Sequence, residues 1–131
     1  MTILWLLLGV ALAAPYLAVG WRLRGRQQRA WWAGGLVVAS LIYVGFASAA
    51  GAGPGALAVE VAGVVVYGLF AALGIRGHRG WLAAGWLLHP VWDLSVGAGG
   101  AAPEWYVWAC LAFDGIVGAS LWMRQLTRSG A

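Results

Sequence analysis

The sequence predicts an all-α integral membrane protein, built as one domain of five transmembrane helices. Three observations lead to this fold class. Of the 131 residues, 63% are hydrophobic and only 9% are charged, whereas soluble domains carry roughly 25% charged residues. The hydrophobic residues form runs that are separated by arginine clusters or by loops containing Gly and Pro. The chain also contains ten Trp residues, which membrane proteins concentrate where lipid meets water.

The predicted spans, in chain order, cover residues 2–21, 31–50, 56–75, 81–96 and 105–123. Each is close to the ~20 residues with which an α-helix crosses a bilayer, and the fourth is slightly short. The first span does not resemble a secretory signal, because its arginines follow the apolar run instead of preceding it. Pairs of small residues, Gly45 with Ala49 and Gly115 with Gly118, predict the close helix packing on which association in lipid depends.

The arginines predict how the spans are oriented. All eight basic residues are arginines, and they lie in clusters at residues 22–29, 76–79 and 124–128. The loops at residues 51–55 and 97–104 contain none. Because cytoplasmic loops are enriched in Lys and Arg, we expect the N-terminus outside and the C-terminus in the cytoplasm. The sequence therefore predicts a multi-pass membrane protein, surrounded by the lipid bilayer.

Charge and cysteine content exclude some function classes. The net charge of +4 does not indicate a nucleic-acid partner, because the arginines form short clusters and not a basic stripe interleaved with exposed aromatic residues. The single cysteine, Cys110, cannot form an intramolecular disulfide bond, so it does not indicate a redox compartment.

The acidic residues are the most informative feature of the sequence. Glu60, Asp93 and Asp114 lie inside predicted spans, and His89 lies one turn deeper than Asp93. Each ionisable group in a membrane helix costs about 2.5–3.5 kcal/mol on insertion scales, so such groups face the bundle interior, pair with each other or line a cavity. We therefore expect one shared polar pocket that opens outward. Glu104 lies at the start of the fifth span, beside the external loop.

The spacing within the fourth span supports a site. His89 and Asp93 are four residues apart and share one helix face, where a carboxylate can fix the tautomer of an imidazole. Pro90 cannot donate a hydrogen bond to the carbonyl group of Trp86, which adds a polar atom to the same region. Trp86 and Trp92 lie three residues before and after His89 and are expected to form an aromatic wall.

The other spans contribute further candidates. Tyr67 lies two turns after Glu60 on the same face, and Cys110 lies one turn before Asp114. The catalytic candidates are thus His89, Asp93, Asp114 and Glu60, and the substrate-binding candidates are Trp86, Trp92, Tyr67, Cys110 and Tyr106. Structural alternatives exist for several of them: the His–Asp pair can act only as a polar contact between helices, and Tyr106 as an interfacial anchor.

Three functions from different classes fit these residues. The first is an acid–base enzyme, isomerase- or cyclase-like, in which Asp114 or Glu60 protonates a lipophilic small molecule and His89 with Asp93 accepts a proton. The second is an accessory subunit of a membrane complex, or a homo-oligomer, whose polar residues hold helices together. The third is a proton-coupled transporter of a small solute.

No cofactor is expected. The alternative is a metal ion bound by His89, Asp93, Asp114 and Glu60, and iron, manganese or zinc would suit such ligands. The apolar runs offer only one histidine for it, because His78 lies in the loop RGHRG.

The end of the chain resembles a known group of proteins. The pattern WLLHPVWD, followed after a short loop by PEWYVWACLAFDGIVG, is similar to small multi-spanning bacterial membrane proteins to which no reaction is assigned. The resemblance covers residues 81–118. It implies a membrane fold in the bacterial inner membrane and points to motif residues, namely His89, Trp92, Asp93, Trp105, Tyr106, Cys110 and Asp114.

Overall fold

The computed structural model describes residues 1–97 and 102–129, and this part of the chain is helical. The five α-helices are α1 (Thr2–Arg22), α2 (Gly25–Ala49), α3 (Pro54–Arg76), α4 (Gly80–Trp92) and α5 (Glu104–Ser129). Helix α4 continues into a π-helical segment, Asp93–Gly97. The described residues contain no β-strand, so the prediction of an all-helical chain with five helices is confirmed. Residues 98–101 of the second arginine-free loop lie outside the described residues.

Four of the helices are long and apolar enough to cross a membrane. They are α1, α2, α3 and the part of α5 that ends at Leu126. Helix α4 has only 13 residues, and the π segment adds five more. At ~1.5 Å per residue the two together span roughly 27 Å, which is near the thickness of the hydrocarbon core of a bilayer. Large apolar side chains cover much of the outer surface, for example Leu7, Val65, Leu69 and Leu126.

Helix α4 lies in the middle of the bundle. It packs against both α3 and α5, while α2 pairs with α3 and α1 pairs with α5. Leu82, Trp86 and His89 on α4 are almost completely buried, together with Leu36 of α2 and Val117 of α5. This central position makes α4 the helix whose side chains all the other helices can surround.

Glycines allow the closest helix contacts. A Cβ atom at Gly9 would lie 2.1 Å from the backbone oxygen of Ala109, and one at Gly118 would lie 2.8 Å from Cγ of Leu87. At Gly45 and Gly115 a Cβ atom would meet nothing within 4 Å. Of the glycines in the two predicted small-residue pairs, only Gly118 therefore forms a tight contact.

Polar side chains join the helix ends that carry the arginines. Helix α2 begins at Gly25, before the predicted span, so its first turns carry Gln28 and Arg29. Gln28 Nε2 donates to the carbonyl oxygen of Gly20 at 2.9 Å and to that of Leu23 at 3.0 Å. Arg29 donates to three carbonyl oxygens near the end of α3, the shortest bond being 2.7 Å to Gly77. These bonds satisfy carbonyl groups that a helix end leaves without partners.

Candidate active site

A histidine and two aspartates from α4, the π segment and α5 form a cluster in the bundle interior. His89 Nδ1 lies 2.6 Å from Asp114 Oδ2 and 3.3 Å from Asp93 Oδ2. Each of the three side chains is only 1% exposed. Asp93 lies one turn after His89, at the point where α4 widens into the π segment, and π-helical turns often occur at functional sites. The structure thus brings three of the four catalytic candidates together.

The hydrogen-bond pattern leaves most of the carboxylate oxygens unused. Nδ1 carries at most one hydrogen, and the short distance assigns it to Asp114, so Nδ1 is the donor and the carboxylate accepts. Both oxygens of Asp93 and Oδ1 of Asp114 are buried and have no hydrogen-bond partner. Buried polar atoms without partners are rare and costly. The cluster therefore retains acceptor atoms that a proton, a substrate or an ion could use.

Two tyrosines pack against the imidazole of His89. The centroid of the imidazole lies 4.8 Å from that of the Tyr67 ring and 6.0 Å from that of the Tyr43 ring, and both contacts have edge-on geometry. The Tyr67 hydroxyl donates to the carbonyl oxygen of Leu88 at 3.0 Å, which fixes the backbone next to His89. The Tyr43 hydroxyl is buried and has no partner.

Tyr43 was missed by the sequence reasoning. It lies one turn after Ser40, in the middle of α2, and a tyrosine hydroxyl in the interior of an apolar helix usually needs a polar partner. The position of this tyrosine in the middle of an apolar helix could therefore have identified it as a candidate.

A narrow crevice on one side of His89 holds Glu60 and Trp92. The crevice is also lined by His89, Tyr67, Ser40 and Gly63. It is too narrow to hold a water molecule. Glu60 is half-buried beside Trp92. The fourth catalytic candidate is therefore close to the cluster, but it does not join the His89–Asp114 hydrogen bond.

A larger groove opens next to Asp114. It has a volume of about 260 Å³, lies between α1, α2 and α5, and has Trp86 of α4 in its wall. The lining includes Tyr16 and Phe113, and the predicted residues Trp86, Tyr106, Cys110 and Asp114. The Trp86 indole N–H donates to the carbonyl oxygen of Trp32 at 3.1 Å, which holds the ring in place. Trp86 and Trp92 thus line different cavities instead of one shared wall.

No family model, curated protein or solved structure matches this chain. The resemblance of residues 81–118 to bacterial membrane proteins therefore stays a prediction.

The cluster also has the composition of a cation site. His89, Asp93 and Asp114 each offer a donor atom, and these atoms lie within 4.8 Å of one another. One imidazole and two carboxylates would suit a divalent transition metal. Binding would require the hydrogen between His89 and Asp114 to be displaced. Glu60, which the sequence added to the candidate ligands, is not a member of this group in the described part of the chain.

The arrangement is suited to moving a proton. Asp114 has one oxygen bonded to His89 and one oxygen without a partner, and its residue lines the groove. A carboxyl group in this position can hold a proton on its second oxygen, while the imidazole stabilises its charged form.

Proposed function

We propose that the protein is a bacterial inner-membrane protein with five spans, in which α4 and the π segment together form the fourth. The apolar outer surface and the four long apolar helices support insertion. The orientation with the N-terminus outside follows from the arginines, since Arg29 and Arg79 reach Gly77 and Gln28 at the same end of the bundle.

We propose further that it is an acid–base enzyme acting on a lipophilic molecule, with isomerase- or cyclase-like chemistry. One observation carries this proposal. Asp114 is both the hydrogen-bond partner of His89, at 2.6 Å, and part of the lining of an apolar groove. Exposed Leu12 and Val38 lie at this groove, which gives an apolar molecule a route from lipid to a buried carboxyl group.

The residues would divide the reaction between them. Asp114 in its acid form donates a proton to a double bond or epoxide of the substrate and becomes a carboxylate that His89 stabilises. The resulting cation is stabilised by the aromatic faces of Tyr16, Trp86 and Phe113. It then loses a different proton to the same cluster, so an isomerisation consumes no net proton. Asp93, whose Oδ2 lies 3.3 Å from His89 Nδ1, adds a second carboxylate that stabilises the imidazole when it carries a positive charge.

The packing favours an enzyme over a proton-coupled transporter. Between the cluster and the arginine-rich end, the core contains Leu36, Leu82 and Trp86, each no more than 2% exposed. A proton path would need polar groups or water in this region. The site is therefore better suited to local proton exchange than to conduction through the bundle.

Solvent deuterium gives a test that works before the substrate has been identified. Membranes containing the protein are incubated in deuterated water, and their lipophilic molecules are compared by mass spectrometry with membranes lacking it. We expect a deuterium-labelled product that depends on the protein. In Asp114→Asn its formation should fall by about 10²–10⁴-fold, the usual contribution of a general acid. Glu104→Gln is the control, because Glu104 is an exposed acid on the same helix.

A second pair of variants tests the groove. Ala39→Phe would fill it, since Ala39 is part of its lining, and should abolish labelling while His89 and Asp114 stay intact. Ala58→Phe makes the same change on an exposed position of α3 and should leave labelling unchanged. The enzyme proposal is wrong if no labelled product depends on the protein. Stoichiometric co-purification with another membrane protein, without any labelled product, would indicate the accessory subunit instead.

A further inference from the structure

The cluster of His89, Asp93 and Asp114 draws its donor atoms from three different elements of the fold. His89 lies on α4, Asp93 begins the π segment and Asp114 lies on α5. Each of the three side chains is only 1% exposed, and their donor atoms lie within 4.8 Å of one another. Because packed helices hold these residues, the donor atoms keep a fixed arrangement.

Hydrogen bonding inside the cluster does not satisfy its acceptor atoms. Nδ1 of His89 has one hydrogen, and it donates this hydrogen to Asp114. Asp93 therefore has no hydrogen-bond partner at either oxygen, although its Oδ2 lies only 3.3 Å from Nδ1. Oδ1 of Asp114 has none either. Three buried carboxylate oxygens are thus available as ligands next to one imidazole nitrogen.

The charge of the cluster indicates which kind of ligand would complete it. The two carboxylates carry two negative charges, and a protonated imidazole cancels only one of them. An uncompensated charge in an apolar interior is costly. A divalent cation that replaces the bonded hydrogen would balance both carboxylates, and it would contact the imidazole and both aspartates at once.

We propose that this cluster binds a divalent transition-metal ion, such as Zn²⁺ or Mn²⁺, through Nδ1 of His89 and one oxygen of each aspartate. Imidazole and carboxylate ligands together suit these ions. In a tetrahedral zinc site with metal–ligand distances of about 2.0–2.2 Å, neighbouring ligands lie roughly 3.4 Å apart. The distance of 3.3 Å between Nδ1 and Asp93 Oδ2 matches this value, whereas the 2.6 Å to Asp114 Oδ2 must widen by about 0.8 Å.

A neighbouring hydroxyl can support the metal ligands. The Tyr43 hydroxyl is buried without a hydrogen-bond partner, and its ring lies 6.0 Å from the imidazole of His89. Of the charged groups near this hydroxyl, Asp93 acts on it most strongly. Carboxylates that bind a metal are themselves hydrogen-bonded by surrounding residues, and a small movement of Tyr43 would supply such a bond to Asp93.

The metal site does not rest on the reaction proposed at Asp114. A carboxylate that binds a cation has lost its proton, so the metal-bound form and the proton-donating form of Asp114 exclude each other. Bound metal is therefore expected to inhibit the formation of a deuterium-labelled product. Metal binding itself can be measured without any substrate.

Metal content and affinity of the whole protein test the proposal. The protein is purified in detergent without a histidine tag, stripped with a chelator and titrated with Zn²⁺ or Mn²⁺. We expect the wild type to bind about one ion per chain and to gain melting temperature on binding. Asp93→Asn removes a ligand charge and should weaken binding at least about tenfold, the effect that even the loss of an outer partner has.

Glu60→Gln is the matched control. It removes the same charge from an acid that lines the crevice beside His89 but does not belong to the ligand group. Its affinity for the metal should stay within about threefold of the wild type, since Glu60 acts only at longer range. His89→Gln provides an independent ligand variant if Asp93→Asn does not fold. Co²⁺ bound to the wild type needs no variant, because its visible absorption reports the coordination geometry.

The negative outcomes are distinct. The proposal is overturned if the stripped wild type binds no ion, or if bound Co²⁺ has the spectrum of the hydrated ion. Equal losses of affinity in Asp93→Asn and Glu60→Gln also overturn it, because the acids would then act only through total charge. A failure of metal binding leaves the labelling experiment with Asp114→Asn unaffected, and the absence of a labelled product leaves the metal measurements unaffected.

Discussion

The contact between α1 and α5 forms one side of the groove beside Asp114, and a single methyl group tests it. In Gly9→Ala the new Cβ atom would lie 2.1 Å from the backbone oxygen of Ala109 and 2.9 Å from Cβ of Ala112. Ordinary contacts of carbon lie near ~3.5 Å, so the two helices must separate locally by more than about 1 Å. Neither helix can relieve this by rotating a side chain, because the closest atom belongs to the backbone.

The expected cost follows from a comparison with a second glycine. Overpacking of this kind costs about 1–3 kcal/mol, whereas replacing Gly by Ala inside a helix gains up to about 1 kcal/mol. Gly115→Ala on α5 makes the same substitution where nothing lies within 4 Å of the new atom. Because both variants share the helix gain, the difference between them isolates the overpacking. We expect Gly9→Ala to be about 1–3 kcal/mol less stable than Gly115→Ala.

The measurement is equilibrium unfolding of the protein in mixed micelles by a titration with sodium dodecyl sulfate. The ten Trp residues provide a fluorescence signal for it. Equal unfolding free energies for Gly9→Ala and Gly115→Ala would refute the close approach of α1 and α5. The groove would then have a different wall from the one that the structure shows.

Three further predictions can be checked with the same unfolding assay. Tyr67→Phe removes a hydroxyl that donates to the backbone of α4 at 3.0 Å and should lower the unfolding free energy by about 0.5–1.5 kcal/mol. Tyr43→Phe removes a buried hydroxyl without a hydrogen-bond partner and should leave the unfolding free energy unchanged or raise it. Asp114→Ala leaves the imidazole of His89 without its hydrogen-bond partner at 2.6 Å and should lower the unfolding free energy by about 3–5 kcal/mol. Asp114→Asn keeps an acceptor oxygen and should lower it by only roughly 1 kcal/mol. Arg29→Gln removes the donor to three carbonyl groups at the end of α3 and should cost about 1.5–3 kcal/mol.

Each of these predictions has an internal comparison. A loss of stability in Tyr43→Phe as large as that in Tyr67→Phe would contradict the hydrogen-bond assignment of the two tyrosines. Equal losses in Asp114→Ala and Asp114→Asn would show that the negative charge of Asp114, and not an acceptor oxygen for the imidazole, determines the effect. Arg26→Gln, at an exposed position, should leave stability within about 0.5 kcal/mol of the wild type, so an equal loss there would contradict the role of Arg29.

Much of the candidate site could be predicted from local spacing, because a helix fixes which of its own residues are neighbours. His89 and Asp93 are four residues apart, and the structure has them 3.3 Å apart. The partner from another helix was harder to identify: Asp114 and Glu60 were both candidates, and only Asp114 bonds to His89. Their depths along the span are visible in the sequence, but the direction in which each helix faces is not.

For the aromatic residues and the glycines, too, the sequence spacing did not predict which neighbours they contact. Trp86 and Trp92 both flank His89 in sequence, yet one lines the groove and the other the crevice. Gly45 has the spacing of a packing motif but meets nothing, whereas Gly9 was not singled out and forms one of the tightest contacts. Spacing within one helix does not tell which face meets another helix.

The sequence by itself predicted an apolar, all-helical chain, its helical segments and the end at which the arginines gather, because hydrophobic runs and charge clusters are visible without the fold. Only the tertiary structure decided that Asp114 joins His89 beside an open groove. The physical reason is the low contrast between the faces of an apolar helix. In water a polar face identifies the outer side of a helix, but lipid is as apolar as the bundle interior, so the rotation of each helix depends on packing and on a few polar contacts.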